Sequence, residues 1–525
     1  MSSTTLAPSY DYIICGAGSA GCVIAARLSE QPSVSVLLLE AGRPDDTDMI
    51  HTPLRVIELW ESDYDWAYWT VPQKHAQNRR LFWPRGKTLG GSSSLNGMIY
   101  VRGNPADYDR WEALGNEGWG WKDVLPFFKK SEDHEGGANE MHATGGPLRV
   151  TKDINPHPVN AAVVEAAVQA GHAFNDDCNN GDSQMGAGLC QLNTLNGRRQ
   201  SSAVAFLRPA MARPNLTVLT GARVQRVDIE NGAASGVTFM HEGVLHSIAA
   251  NREVVLSGGA IESPRMLMLS GIGPRAALER LGIAVKHDLP GVGENLHDHT
   301  LLPMIYEARK PIPAPEHTGW TPLHSHLFMK SDEELAEPDL QPLFLFAPYY
   351  TPELKPVTPN AFTLNAGGIR PTSRGQIRLT SADPDAPIEL DPNVLATKYD
   401  VDALVICMKR LREIAAQPAL RDWIEREIYP GPAVRSDAEL EAYARGAVVS
   451  YHHQCGTCKM GVDEMAVVDP QLRVHGLKGL RVADASIMPD VTSGNTNAPC
   501  IMIGEKAAAM ILGAVHKVAC ETEPA

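Results

Sequence analysis

Asp11-Tyr12-Ile13-Ile14-Cys15-Gly16-Ala17-Gly18-Ser19-Ala20-Gly21, followed by a helix-like run to Leu28 and the apolar stretch Val34-Ser35-Val36-Leu37-Leu38-Leu39-Glu40, is the segment on which the fold turns. Its glycines have the G-x-G-x-x-G spacing directly after a strand and at the mouth of a helix, as in the strand-helix-strand unit of a dinucleotide-binding fold. The three glycines serve a tight turn, close approach of backbone to a pyrophosphate, and close packing of helix on strand. The helix start adds free N–H groups and a positive dipole end for phosphate oxygens. Glu40 closes the second strand, 22 residues after Gly18, where a carboxylate can accept hydrogen bonds from ribose hydroxyls. Gly16, Gly18, Ser19, Ala20, Glu40 and Ala41 are therefore expected to contact a dinucleotide. The fingerprint alone does not choose between FAD and NAD.

Around this unit the bulk properties narrow the class. A chain of 525 residues exceeds what one hydrophobic core usually serves, so two or three domains are expected. Hydrophobic content of 43% and charged content of 21% are those of a chain that folds throughout. The 45 glycines and 38 prolines imply many turns and close backbone approaches. A net charge of −15 with no basic block opposes binding to phosphates and excludes nucleic acid as a partner. The start MSSTTLAPSYDYII lacks a charged region followed by an apolar one, and no segment offers about 18 consecutive apolar residues. No transmembrane segment is expected, and the protein is expected to be soluble and cytoplasmic. Nine scattered cysteines, an odd number, fit a reducing compartment better than a disulfide framework. The sequence does not specify an oligomeric state.

Along the chain, residues 60–121 are rich in Gly, Pro, Trp and Tyr and read as ordered loop and short helices over something large and flat. Alternating apolar residues suggest a pair of strands within 215–236, and 252–257 reads as a buried strand. From about 310 to 449 the character changes: Pro311, Pro313 and Pro315 precede strand-like runs at 340–346 and 375–380. The spacing of Val401, Leu404, Val405, Met408, Leu411 and Ile414 predicts a helix over 400–416. A strand at 480–483 and a helix at 498–512 follow, and no internal repeat is found. The segments 1–155, 205–310 and 450–525 are assigned to a discontinuous dinucleotide domain, and 156–204 with 311–449 to a substrate domain.

Three further blocks carry a resemblance. Gly86-Lys87-Thr88-Leu89-Gly90-Gly91-Ser92-Ser93-Ser94-Leu95-Asn96-Gly97, with Arg102-Gly103 and Asp107, resembles the first signature of the glucose-methanol-choline (GMC) oxidoreductases. Residues 259–273 resemble the second, and His453 to Met460 with Asp484 and Asn495-Thr496-Asn497-Ala498-Pro499 resembles the catalytic segment. With the fingerprint these make four blocks in the family's order across nearly the whole chain. The resemblance implies an α/β fold: a doubly wound FAD domain, with a second α+β substrate domain built on an antiparallel sheet against the flavin. Gly86, Leu89, Gly90, Gly91, Ser94, Asn96, Gly97 and Met98 are then expected around FAD, the Gly90-Gly91 pair letting N–H groups come close to the ring edge. The resemblance also implies contacts from Val224 to adenine and from Asp484, Ala485, Asn495 and Thr496 to the flavin region; Asp484 reads equally as a helix cap. Some relatives attach FAD through a histidine before the asparagine of the first signature. Leu95 stands there, so FAD is expected to be held noncovalently.

Removing a hydride from an alcohol is easier once the hydroxyl proton is leaving, and a histidine beside the flavin suits that task. Alignment with the catalytic segment puts the base at His453 and its partner, His or Asn in relatives, at Asn497. Tyr451-His452-His453-Gln454 departs from the single histidine followed by proline of many relatives, so His452 competes for the role. If the segment is a strand, adjacent side chains face opposite ways and one of the two meets the substrate. Cys455-x-x-Cys458 has redox or zinc spacing without a second pair and reads as buried packing. His297-Asp298-His299 follows a block that resembles a family loop near the flavin, so no metal is expected. Choline-oxidising relatives carry a glutamate against the trimethylammonium, and here His324 aligns with it. That points to a neutral primary alcohol, with His452, His324 and Pro499 near it. Oxygen or a quinone-type acceptor would reoxidise the flavin. Choline dehydrogenation is the alternative. Another class of relatives, a hydroxynitrile lyase with a redox-idle flavin and a light-driven fatty-acid decarboxylase, shares the architecture.

Overall fold

The computed structural model describes residues 6–152, 154–181, 183–316 and 320–522. Two sheets organise them. The first has the order Leu216–Leu219, Val36–Leu39, Ser9–Cys15, Val244–Leu256, Ala233–His241, Ala222–Glu230. Its first four strands run parallel, with Leu480–Val482 joining the end of Val244–Leu256 in the same direction. Ile13, Ile14, Val36, Leu37 and Leu38 have no exposed surface, as parallel strands covered on both faces require. The helix Ser19–Leu28 covers one face and packs against the last helix, Asn497–Thr522. Glu505 on that helix is buried but receives the Arg27 guanidinium at 2.7–3.0 Å and the Lys130 ammonium at 2.9 Å. That pairing is what a buried carboxylate needs.

The second sheet is antiparallel throughout, in the order Ile424–Tyr429, Thr300–Ala308, Ala361–Gly368, Leu343–Leu345, Ser325–Phe328, Gly186–Leu189, with Val449–Ser450 added beside Thr300–Ala308. Helices Pro158–Gln169 and Lys398–Ala415 pack on it. The second buries Val401, Leu404, Val405, Met408, Leu411 and Ile414, the stripe that its spacing predicts, and Thr397 caps its start by accepting from the Asp400 N–H. One detail differs from the expected domain boundary. Thr300–Ala308 lies on the dinucleotide side of the expected boundary at 310, yet it is hydrogen-bonded inside the second sheet. The run at 375–380 is a strand as expected, Gln376–Leu379, paired with Ile388–Asp391 outside the second sheet and bridged to Leu296 through Gly375. The local apolar pattern of Thr300–Ala308 marks it as a strand but carries no information about which sheet it joins.

Candidate active site

At the carboxyl ends of the parallel strands the chain forms a cradle made chiefly of backbone. Gly16 adopts φ +107°, and a Cβ there would lie 2.5 Å from the Ser257 carbonyl oxygen. A Cβ on Gly21 would lie 1.9 Å from the Gly16 carbonyl oxygen, so helix and strand touch only because both are glycine. Gly18 caps the helix without a side-chain hydrogen bond, leaving its first N–H groups for an anion. Glu40 is buried, with one carboxylate oxygen accepting from the Ala17 N–H at 2.9 Å and the other from the Gly42 N–H at 2.8 Å. Burial pushes its carboxyl up to about 7. Besides facing the cleft, this carboxylate therefore holds the glycine turn in place.

The 86–98 loop is tied to that turn, for the Gly90 N–H donates to the Ala17 carbonyl at 2.8 Å. Gly86, Gly91, Asn96, Gly97 and Met98 line the cleft together with Gly16, Gly18, Ser19, Ala20, Glu40, Ala41, Val224, Asp484, Ala485, Asn495 and Thr496. Leu89, Gly90 and Ser94 do not. They lie behind the loop, where the Ser94 hydroxyl donates to the Leu89 carbonyl at 2.7 Å and shapes the turn rather than its surface. Arg199, which the sequence reading missed, is buried beneath the same loop. It donates to the Ile50 and Ser93 carbonyls and to the Asn96 carbonyl and side-chain oxygen at 2.6–3.2 Å. Asp484 both caps Ala485–Ile487, accepting from Ser486 N–H, and accepts from the Gly259 N–H at 2.8 Å and the Ser263 hydroxyl at 2.5 Å.

Next to this cradle the cleft changes to side chains. The His453 ring is 8% exposed and stacks on Tyr451. Its Nε2 meets Asn495 Nδ2 at 3.2 Å, and its Nδ1 meets His299 Nδ1 at 2.9 Å. Asn495 Oδ1 in turn accepts from Gln341 Nε2 at 3.1 Å. Asp298 accepts from the His453 N–H at 2.7 Å, from Gln454 Nε2 at 2.8 Å and from the Ser450 hydroxyl. Burial, with His299, His452 and Arg85 nearby, holds His453 well below the usual histidine range. The ring is neutral at physiological pH and can accept a proton.

Three expectations are corrected here. Asn497, expected beside His453, instead accepts at Oδ1 from the Ser19 hydroxyl at 2.8 Å, and Asn495 takes its place: the first turn of the final helix points Asn497 at the dinucleotide helix. His452 and His453 do not face opposite ways. His452 adopts φ +68°, which breaks the strand, and both rings line the cleft, the His452 ring edge-on to Trp60. His324 and Pro499 are buried away from the cleft lining, and His324 Nδ1 accepts from the His157 N–H at 3.1 Å.

Cys455 and Cys458 are free and buried. His297 accepts from the Val491 N–H at 2.9 Å and lies 3.4 Å from the Cys455 sulfur. Away from the cleft, His134, His142 and Asp177 bring donor atoms within 4.8 Å of one another. Both nitrogens of His142 are already held by Glu132 and Asp177, with Arg102 on the same Glu132, an ion-pair network that the His134 ring stacks against without a hydrogen bond of its own among the described residues.

A dinucleotide cradle of glycine turns that opens onto a buried neutral histidine, walled by an antiparallel sheet, defines a dinucleotide-dependent oxidoreductase. Comparison with known proteins gives the family. The amino-terminal GMC oxidoreductase profile matches residues 10–301 and the carboxy-terminal one 371–504. The chain is 43% identical over 533 residues to "Alcohol dehydrogenase [acceptor]" of Pseudomonas putida, covering 96% of each. It is 42% identical over 536 residues to the mitochondrial choline dehydrogenase of Homo sapiens, covering 96% of this chain and 90% of that one. The crystal structure of pyridoxine 4-oxidase from "Mesorbium loti" superposes with a TM-score of 0.93 at 36% identity, covering 96% of this chain and 99% of that one. The chain belongs to the GMC oxidoreductase family and is an FAD-dependent oxidoreductase acting on alcohols.

Proposed function

We propose that the chain oxidises a neutral primary alcohol to the aldehyde, with His453 as general base and Asn495 as the donor to the developing alkoxide. The observation that carries this reading is the neutral His453 ring with Asn495 at its Nε2, inside a cleft that also reaches the glycine cradle. FAD, when bound in that cradle, supplies the hydride acceptor. His453 Nε2 accepts the hydroxyl proton, and the Asn495 amide N–H stabilises the charge left on oxygen. Asp298 holds the His453 backbone so that the ring does not drift from this position. Leu95, which lines the cleft where some relatives carry a linking histidine, supports noncovalent FAD. Precipitating the holoenzyme with acid is expected to leave the yellow colour in the supernatant.

The apolar liners Val56, Leu301, Leu323, Leu343 and Leu345 support an uncharged substrate. So does the state of the lining carboxylates. Glu40 and Asp484 are engaged with backbone N–H groups, and Glu262 accepts from the Tyr68 hydroxyl at 2.6 Å and from Arg265 at 3.1 Å. None is left to balance a quaternary ammonium. The choline dehydrogenase relative favours the second reading, choline. A panel of benzyl, furfuryl and aliphatic alcohols and choline, run with oxygen and with an artificial quinone, separates the two. Higher kcat/KM for a neutral alcohol is expected, and higher kcat/KM for choline would overturn the substrate assignment. The same panel reports whether oxygen or a quinone is the acceptor. Among the described residues no helix is long and apolar enough to cross a membrane, and the free cysteines support a cytoplasmic place of action.

A further inference from the structure

The proposed base has only one of its two ring nitrogens toward Asn495. The other is spent on a second imidazole, and that arrangement has a direction. His299 and His453 meet Nδ1 to Nδ1 at 2.9 Å with their rings perpendicular, so one nitrogen must donate and the other accept. Two surroundings decide which. The Ile369 carbonyl lies beside the His299 ring and can only accept, while Nε2, unlike Nδ1, has no hydrogen-bond partner among the described residues. It favours the hydrogen on His299 Nε2 and the lone pair on His299 Nδ1. At the opposite end Gln341 Nε2 donates to Asn495 Oδ1, which turns the Asn495 amide N–H toward His453 Nε2. Both ends require the same answer: His453 carries its hydrogen on Nδ1 and its lone pair on Nε2, pointing to where a substrate hydroxyl would sit.

We propose that His299 is the positioning residue of this reaction: it fixes the reactive tautomer of His453 and takes a share of the proton that His453 removes. The inference rests on the reading of His453 as base. As the substrate O–H bond breaks, an N–H bond forms at His453 Nε2. The Nδ1 hydrogen can then pass to His299 Nδ1, leaving His453 neutral and His299 cationic. No electrons or further reactants are needed. Sharing matters because both rings are buried, His299 with no exposed surface, and a single buried imidazolium is costly. The charged and titratable groups around the pair are Arg85 and His452 on the His453 side, His297 and Arg370 on the His299 side, and the Asp298 carboxylate between them. Asp298 clamps the backbone of His453 and its neighbour His299 clamps the ring, so consecutive residues position one side chain.

The test uses His299→Leu and His299→Gln holoenzymes, with benzyl alcohol as reductant and 15N-labelled histidine. In the parent, the signals that vanish in His453→Gln are expected to show a protonated Nδ1 and an unprotonated Nε2. His299→Leu is expected to lose that pattern and to slow anaerobic flavin reduction by ten- to a hundredfold, with an altered pH profile and unchanged FAD content. In His299→Gln the amide oxygen can still accept from Nδ1 but cannot take the proton. It should recover the tautomer and only part of the rate. If the parent carries its hydrogen on Nε2, or if His299→Leu leaves both rate and pH profile unchanged, the positioning role is overturned while the alcohol reaction stands. Loss of FAD content in His299→Leu with a normal rate per bound flavin would likewise overturn it, marking a purely structural residue. Parental reduction in His453→Gln would instead remove the base assignment itself.

Discussion

The two ends of the cleft solve different problems with different materials. The cradle is backbone: glycine turns, unsatisfied helix N–H groups, and two carboxylates, Glu40 and Asp484, that hold peptide N–H groups. The other end is a set of imidazoles, His297, His299, His452 and His453, each kept below the ordinary histidine range by burial. Peptide dipoles do not titrate, although Glu40, pushed up to about 7 by burial, changes charge within the working range. Imidazoles do titrate, and keeping them buried and neutral leaves their lone pairs available to take a proton. The cofactor end is thus built mainly of peptide groups that cannot change charge, and the other end of imidazoles that can.

That division can be broken at each end. The largest effect is expected at the cradle: Gly21→Val places a branched side chain where even a Cβ would lie 1.9 Å from the Gly16 oxygen, and the purified protein should carry little flavin, read from its visible absorbance. Next comes the choice between two asparagines. Asn495→Ala should slow flavin reduction by about 10²-fold with FAD retained, the cost of one preorganised donor, whereas Asn497→Ala should stay within a few-fold. Equal losses would return Asn497 to the reaction.

The pH effects are smaller. With its histidine lowered, the base is neutral throughout the physiological range, so flavin reduction should be level between about pH 6.5 and 8 and fall only on the acid side. Stability follows the same sign. His297, His299 and His452 are lowered to about 3, so below pH 6.5 the unfolded chain binds more protons than the folded one. Their contribution is complete above pH 6.5 and is lost as pH falls toward 3. Asp298, raised to about 6, and Glu40, raised to about 7, work in the opposite direction, but His326, lowered to about 4, and His453 add to the histidine side. The melting temperature should therefore drop from pH 7.5 to 5.5, and less so in His452→Phe; an equal drop in that variant would remove His452 from this account.

The same contrast explains what could be read from sequence. A cradle made of glycines at fixed spacing announces itself within eleven residues, Glu40 follows from its place at a strand end, and Asp484 from the family resemblance. The alternation and helical spacing of buried apolar residues likewise gave Ser9–Cys15, Val36–Leu39 and Lys398–Ala415. The histidine end draws on residues 298–299, 341, 453 and 495, far apart in the chain, and no local pattern links them. The choice between Asn495 and Asn497 depends on where a helix begins, a matter of one or two residues that spacing does not fix. The orientation of His452 depends on a left-handed residue, which no strand pattern anticipates. Arg199 directly follows the exposed stretch 195–198, so no local pattern marks it for burial.

The central claim is that His453 is the base for an alcohol oxidised in this cleft. The most direct measurement is anaerobic mixing of the holoenzyme with benzyl alcohol, in the parent and in His453→Gln, following the yellow flavin. The account predicts bleaching in the parent and bleaching slower by about 10²–10⁴-fold in the variant, at equal FAD content. Bleaching of His453→Gln at the parental rate would contradict it.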